Sequence, residues 1–330
     1  MKAIVCPRWG EPDQVLEVRD VPAPVCGPGQ VRVRMLVSPI NPSDLFMVRG
    51  QYGYQPPLPC TPGFEGVGVV EEGRGILGWR VRGKRVAVLN GTSGNWAEQV
   101  VIPARQAVPV PDSMSDEQAA TFFVNPASAV VMTRHILDIP AGAYLLQTAA
   151  GSALGRMVIR LGKKHGFHTI NVVRRHEQAE ELRRLGADAV VVFPEESIAA
   201  RVMEITGGRG AACAIDAVGG DIGSACVEAL APGGRLLLYS SLSGQPLRIE
   251  PRTLMTADRR VEGFWLSVWV KRQNPLRMLW LFRQIKALMA EGIATTEISA
   301  TYGLDQINGA VRHADQPGRG GKVLLRMGAR

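Results

Sequence analysis

From residue 143 onward, short runs with no polar face alternate with amphipathic segments, and that rhythm restricts the fold more than any other feature. The runs are AYLLQTA (143–149), HTINVVR (168–174), AVVVF (189–193), AACAIDAV (211–218) and RLLLYSS (235–241). Helical patterns lie between them, near 155–165, 177–185, 197–206 and 223–230. Strands that are apolar throughout need cover on both faces, which a parallel sheet flanked by helices supplies. The spacing predicts a doubly wound α/β domain. A last apolar stretch, VEGFWLSVWV (261–270), reads as one more strand, and an amphipathic helix is expected from about 275 to 291.

The first third has another character. Fourteen of the 22 prolines fall within residues 1–112, and proline is poorly tolerated inside helices. Alternating segments such as VRVRMLV (31–37), GVGVV (66–70), RVAVL (85–89) and AEQVVI (97–102) predict strands, punctuated by turn signals at Gly27-Pro28-Gly29 and Asn90-Gly91. SDEQAAT (115–121) opens with a helix start signal. With 330 residues the chain has room for two domains. The expected division is a β-rich domain of 1–120 completed by a returning tail, 268–330, around an α/β domain of 121–267.

Composition narrows the function classes. The chain is 46% hydrophobic and 21% charged, an ordinary globular balance. No uncharged apolar run reaches the roughly 18 residues of a membrane helix. MKAIVCPRWG reads directly as a strand, so a cytoplasmic protein without membrane attachment is expected. The net charge of +8 is spread over pairs such as Lys163-Lys164 and Arg259-Arg260, so no nucleic-acid partner is expected. Five cysteines, Cys6, Cys26, Cys60, Cys213 and Cys226, include no C-x-x-C pair. This spacing argues against a disulfide framework or a structural zinc lobe.

A strand running into AAGSALG (149–155) and directly into a helix has the small residues that let a backbone approach a pyrophosphate. The strict G-x-G-x-x-G spacing is absent, so a tight strand–helix turn that binds nothing remains open. At the end of the next strand stand Arg174, Arg175 and His176. Carboxylates there accept from the ribose hydroxyls of NAD, whereas guanidinium groups pair with the 2′-phosphate of NADP. NADP is therefore the expected cofactor, the alternative being arginines that only solvate a strand end.

These residues together resemble the medium-chain dehydrogenase/reductase superfamily across the whole chain: a β-rich GroES-like catalytic domain plus a Rossmann dinucleotide-binding domain. Zinc alcohol dehydrogenases of that superfamily place a Cys near SPINPSD (38–44) and follow it with G-H-E. Here the loop has no Cys, and Gly63-Phe64-Glu65 has Phe at the histidine position. His165 and His168 straddle a helix end and a strand start with no third ligand in view. A zinc-independent protein with no metal is expected. SPINPSDLFMVRGQYG (38–53), FVNPASA (123–129), TINVVR (169–174) and GFWLSVW (263–269) are similar to one branch, the mitochondrial-type trans-2-enoyl thioester reductases.

The resemblance implies that Tyr52, in the G-x-Y position, is catalytic, with Tyr54 its near neighbour. It implies that Asn125 approaches the dinucleotide and that Gly151, Ser152, Ala153 and Leu154 wrap the pyrophosphate. Arg174, Arg175 and His176 would hold the 2′-phosphate, and Tyr239, Ser240, Ser241 and Leu242 would line the nicotinamide side. Phe264, Trp265 and Leu266 would meet the carboxamide, and Lys322 would close the site. The implied reaction is NADPH-dependent reduction of an enoyl thioester on coenzyme A or an acyl carrier protein, with hydride to the β-carbon and a proton to the α-carbon. Two alternatives stand beside it: an NADPH:quinone or activated-alkene oxidoreductase, and a nucleotide- or RNA-binding protein without a catalytic role. FWLSVWV, read as an edge strand, suggests a homodimer.

Overall fold

The computed structural model describes residues 1–328. The chain forms two compact units, one of Met1–Val124 with the residues from Thr296 on, the other of Asn125–Thr295.

In the first unit the strand Gln30–Pro39 is the organising element. It pairs antiparallel with Glu65–Gly73 on one side and, at its two ends, with Gln99–Pro103 and Lys322–Arg326. The seven-stranded sheet continues through Arg85–Leu89 and Ala107–Pro109 at one edge and Ile298–Gly303 at the other. Alternation along Gln30–Pro39 works as period two requires: Val31, Val33, Met35 and Val37 are buried in sequence. Trp96, fully buried, packs in the same core, and its indole N–H donates to the Pro39 carbonyl at 3.4 Å. The strands Ile298–Gly303 and Lys322–Arg326 join this sheet, whereas residues 268–295, expected to be part of the returning tail, fall in the second unit.

The second unit holds six parallel strands: Tyr144–Gln147, His168–Val173, Ala189–Val192, Ala211–Asp216, Leu230–Leu238 and Arg260–Gly263. Counted in chain order they lie in the sheet as 3-2-1-4-5-6, the order whose reversal next to strand 1 opens a ligand crevice at the strands' carboxyl ends. The α/β fold of a GroES-like unit and a Rossmann-type parallel sheet is thus realised. Helices Ala153–His165, His176–Leu185, Ile198–Ile205 and Gly220–Glu228 fall close to their expected positions. The long helix Pro275–Ala290 belongs to the second unit, whose end is tied to Ala153–His165 by Lys164 to Glu291 and by Arg160 to the Thr295 carbonyl.

One expectation is corrected. FWLSVWV is not a strand: pairing with Leu230–Leu238 ends at Gly263, and Leu266–Lys271 is a short helix. A brief apolar run carries no decisive period. Here the Trp269 amide donates back to the Trp265 carbonyl at 3.0 Å, closing a helical turn instead of a ladder. Among the described residues no helix is long and apolar enough to cross a membrane.

Candidate active site

The first unit contains a buried polar knot that sequence reasoning did not find as a unit. Asn41 precedes the helix Pro42–Val48, and the Asp44 carboxylate folds back to accept from the Asn41 amide at 2.7 Å, a capping arrangement at the helix start. Its other oxygen accepts from the Phe64 amide at 3.1 Å. Glu65 accepts from Asn41 Nδ2 at 3.0 Å and from the Phe123 and Val124 amides at 3.2 and 2.9 Å. Lys322 Nζ donates to Asn41 Oδ1 at 2.6 Å. All four residues are buried. Removing such charges from water costs several kcal/mol each unless hydrogen bonds and opposite charge offset it.

Burial accordingly pushes the Asp44 carboxyl up to about 7 and raises Glu65 as well. It pushes the Lys322 ammonium down to about 8, with the Arg319 charge adding to the effect and both carboxylates opposing it. Lys322 therefore sits inside the knot, its head group bonded to Asn41 at the start of the helix Pro42–Val48.

Tyr52 lies beyond the same helix, in a loop that Arg49 anchors by pairing with Glu11 and Asp315. The half-buried Tyr52 ring rests on Phe64, centroids 5.1 Å apart. The knot thus fixes both neighbours of Tyr52: the helix before it through Asn41 and the ring beneath it through the Phe64 amide. Tyr54 is more exposed, at 40%.

In the second unit the sequence-marked loop forms as expected. Strand Tyr144–Gln147 ends in a turn in which Ala149 takes a left-handed φ of 48°, and Ser152 caps the helix Ala153–His165 by accepting from the Gly155 amide at 3.1 Å. A Cβ at Gly155 would lie 2.4 Å from the Ala150 carbonyl oxygen, so glycine is what permits the helix to approach the turn. The first turn of a helix leaves backbone amides without partners inside the helix, the usual seat for an anion. Arg174 and Arg175 follow the next strand, both exposed, and among the described residues neither is ion-paired. His176 is held at 2.7 Å by Glu195.

Tyr239 follows strand 5, its amide donating to the Asp216 carbonyl at 3.0 Å, and burial pushes its phenol up. Ser240 and the exposed Ser241 come next, and Leu242 donates to the Ala217 carbonyl. Phe264 is buried and its amide donates to the Leu238 carbonyl at 2.7 Å, Trp265 is 41% exposed, and Leu266 begins a helix. Asn125 is half-buried in the helix Val124–Val130.

Sequence reasoning missed Asp216. Fully buried at the end of strand 4, it accepts from Thr148 Oγ1 at 2.5 Å and from the Val218 and Gly219 amides at 2.9 Å each. It ties the turns after strands 1 and 4 together. Beside it a cavity of about 380 Å³ is bordered by Phe193, Val218, Gly219, Asp221, Ser243 and Arg248. The glycine pair after a strand-ending Asp, D-A-V-G-G, was the available signal.

The chain is similar to known proteins along its whole length. Residues 27–112 match the family alcohol dehydrogenase GroES-like domain, and residues 153–280 match the family zinc-binding dehydrogenase. A mitochondrial enoyl-[acyl-carrier-protein] reductase of Bos taurus is 31% identical over 99% of this chain and 89% of its own. The Homo sapiens protein of the same name is 30% identical over the same shares. The chain belongs to the medium-chain dehydrogenase/reductase superfamily. Among solved structures, a candidate NADPH:quinone reductase from Bacillus thuringiensis superposes with a TM-score of 0.93 at 34% identity, covering 99% of both chains. A mycobacterial protein complexed with NADPH gives 0.89 at 26%, covering 99% of this chain and 100% of its own.

Zinc of the kind bound by dehydrogenases of this superfamily does not fit these residues. Phe64 stands at the histidine position, and the Asp44 and Glu65 carboxylates are taken up by backbone amides, Asn41 and the field of an ammonium. Among the described residues no cluster of three His, Cys, Asp or Glu side chains could hold a metal ion.

The raised Asp44 pKa gives a signed expectation. The native carboxyl keeps its proton to about pH 7, whereas an unfolded Asp loses it near 4. The native state therefore binds more protons between those values, and this group's contribution to stability falls as pH rises across that window. Asp44→Asn removes the contribution and one acceptor, costing about 1–3 kcal/mol. In urea unfolding from pH 4 to 7, the stability difference between the wild type and this variant should be largest at pH 4 and narrow toward pH 7.

Proposed function

We propose that the protein reduces a trans-2-enoyl thioester, carried on coenzyme A or an acyl carrier protein, with NADPH as reductant. Tyr52 carries the reading. It combines a half-buried ring braced on Phe64 with a loop pinned by the polar knot, in a chain that relatives named as enoyl-[acyl-carrier-protein] reductases match nearly end to end. NADPH, when bound, supplies the hydride for the β-carbon.

The chain's own residues bind and orient. Gly151, Ser152, Ala153 and Leu154, at the start of the helix Ala153–His165, receive the pyrophosphate with backbone amides. Arg174 and Arg175 hold the 2′-phosphate, with His176 beside them in its pair with Glu195. Asn125 approaches the dinucleotide, Tyr239, Ser240, Ser241 and Leu242 line its nicotinamide side, and Phe264, Trp265 and Leu266 meet the carboxamide. Lys322 acts through Asn41, fixing the loop that leads to Tyr52.

The Tyr52 hydroxyl donates a hydrogen bond toward the thioester oxygen, where negative charge grows in the transition state. It then delivers a proton to the α-carbon. A second copy of the chain is the expected partner for the outer strand Arg260–Gly263, which among the described residues pairs on one side only and is followed by the exposed Leu276, Leu279 and Trp280.

A second reading rests on the likeness to the candidate NADPH:quinone reductase of Bacillus thuringiensis: the same binding groups with a quinone as acceptor and no need of Tyr52. Steady-state NADPH oxidation separates the two. Tyr52→Phe is expected to lower turnover of crotonyl thioester by about 10²–10⁴-fold and to leave a 1,4-quinone untouched. Quinone turnover without thioester turnover, indifferent to the substitution, would replace the first reading with the second. Replacing Arg174 and Arg175 by Ala should weaken NADPH binding about tenfold to a hundredfold with NADH unchanged, measured by titrating nucleotide fluorescence. Equal losses for both nucleotides would remove the arginines from the 2′-phosphate.

A further inference from the structure

The five cysteines are dispersed in sequence, yet the fold sets two of them face to face. Cys6 follows the strand Lys2–Val5, and Cys60 lies toward the far end of the Tyr52 loop; they form an antiparallel bridge. The Cys6 amide donates to the Cys60 carbonyl at 2.7 Å, and the Cys60 amide to the Cys6 carbonyl at 3.1 Å. Residues that exchange both bonds in this way have Cα atoms about 5.5 Å apart. That separation lies within the roughly 4.4–6.8 Å of disulfides and close to their commonest value.

The thiols also influence each other, which lowers the pKa of Cys6 and raises that of Cys60, and Cys6 Sγ donates to the Arg8 carbonyl at 3.1 Å. Cys60 is partly exposed and gives solvent a way to the pair. The other three thiols lack this arrangement: Cys26 is bonded to the Gln30 carbonyl at 3.3 Å, while burial raises the pKa of Cys213 and Cys226.

We propose that Cys6 and Cys60 are a modification site, a dithiol that peroxide converts to an intrachain disulfide fastening the end of the Tyr52 loop to the first strand. Hydrogen peroxide is the oxidant. One sulfur attacks it, forming an S–O bond as the O–O bond breaks, and the first water leaves with that thiol's proton. The partner sulfur then displaces the hydroxyl from the sulfenic acid: an S–S bond forms, the S–O bond breaks, and the second water carries off the second proton. Two thiols are oxidised by two electrons and one peroxide is reduced to two waters. The site stands on the chain's own geometry and is independent of which substrate the enzyme reduces.

The test is peptide mapping of the intact wild-type protein after brief treatment with hydrogen peroxide, alkylation and digestion without reductant. The expected result is one linked species joining the Cys6 and Cys60 peptides, two hydrogens lighter than their sum, on a chain that still migrates as a monomer. Titratable thiols fall from five to three, dithiothreitol restores them, and Cys60→Ser abolishes the linked species. Recovery of Cys6 and Cys60 as separately alkylated peptides overturns the proposal. So does their recovery as sulfinic acids, or a link formed only between two chains.

Discussion

Two carboxylates and one ammonium lie buried in the first unit, and the placement of the candidate catalytic loop depends on how they are kept satisfied. Asp44, Glu65 and Lys322 meet through Asn41, whose side-chain amide donates to one and accepts from another while its backbone N–H serves the third. The remaining carboxylate oxygens close on the Phe64, Phe123 and Val124 amides. Four stretches of chain are thereby fixed at one point: the start of the helix Pro42–Val48, the entry to the strand Glu65–Gly73, the segment 123–124 and the last strand. Breaking such a cluster leaves a charge without compensation, which costs about 3–5 kcal/mol. Phe64, in the position where the zinc dehydrogenase pattern has histidine, supports the Tyr52 ring.

The second unit solves a different problem, that of presenting amides to an anion. Strand order 3-2-1-4-5-6 leaves the turns after strands 1 and 4 side by side, and Asp216 fastens them through Thr148 and its own following amides. Ser152 satisfies the Gly155 amide, so the first turn of the helix is shaped before any ligand arrives. Preorganisation of this kind removes ordering costs from binding. Arg174 and Arg175 stand at the end of strand 2, exposed, next in sequence to His176 and its pair with Glu195.

Much of this was legible in the residues because it is local. Alternation over 31–37 marked the strand Gln30–Pro39, continuous apolar runs marked the parallel strands, and AAGSALG marked the strand–turn–helix, whose serine cap the structure adds. What escaped is non-local. Asn41 and Lys322 are 281 positions apart, Thr148 and Asp216 are 68, and no spacing rule reaches across such intervals. Cys6 and Cys60 read as scattered for the same reason. FWLSVWV failed differently: seven residues rich in apolar side chains satisfy a strand or a helix equally well, and hydrogen bonding beyond Gly263 decided for the helix.

We propose that hydride delivered in this fold ends on the β-carbon of an enoyl thioester. The direct measurement is to supply NADPH bearing deuterium at the transferred C4 position, together with an unlabelled trans-2-enoyl thioester, and to read the product by NMR. A saturated thioester carrying a single deuterium at the β-carbon is the predicted result. Recovery of the thioester unchanged, while the same enzyme passes reducing equivalents to a quinone, would contradict it.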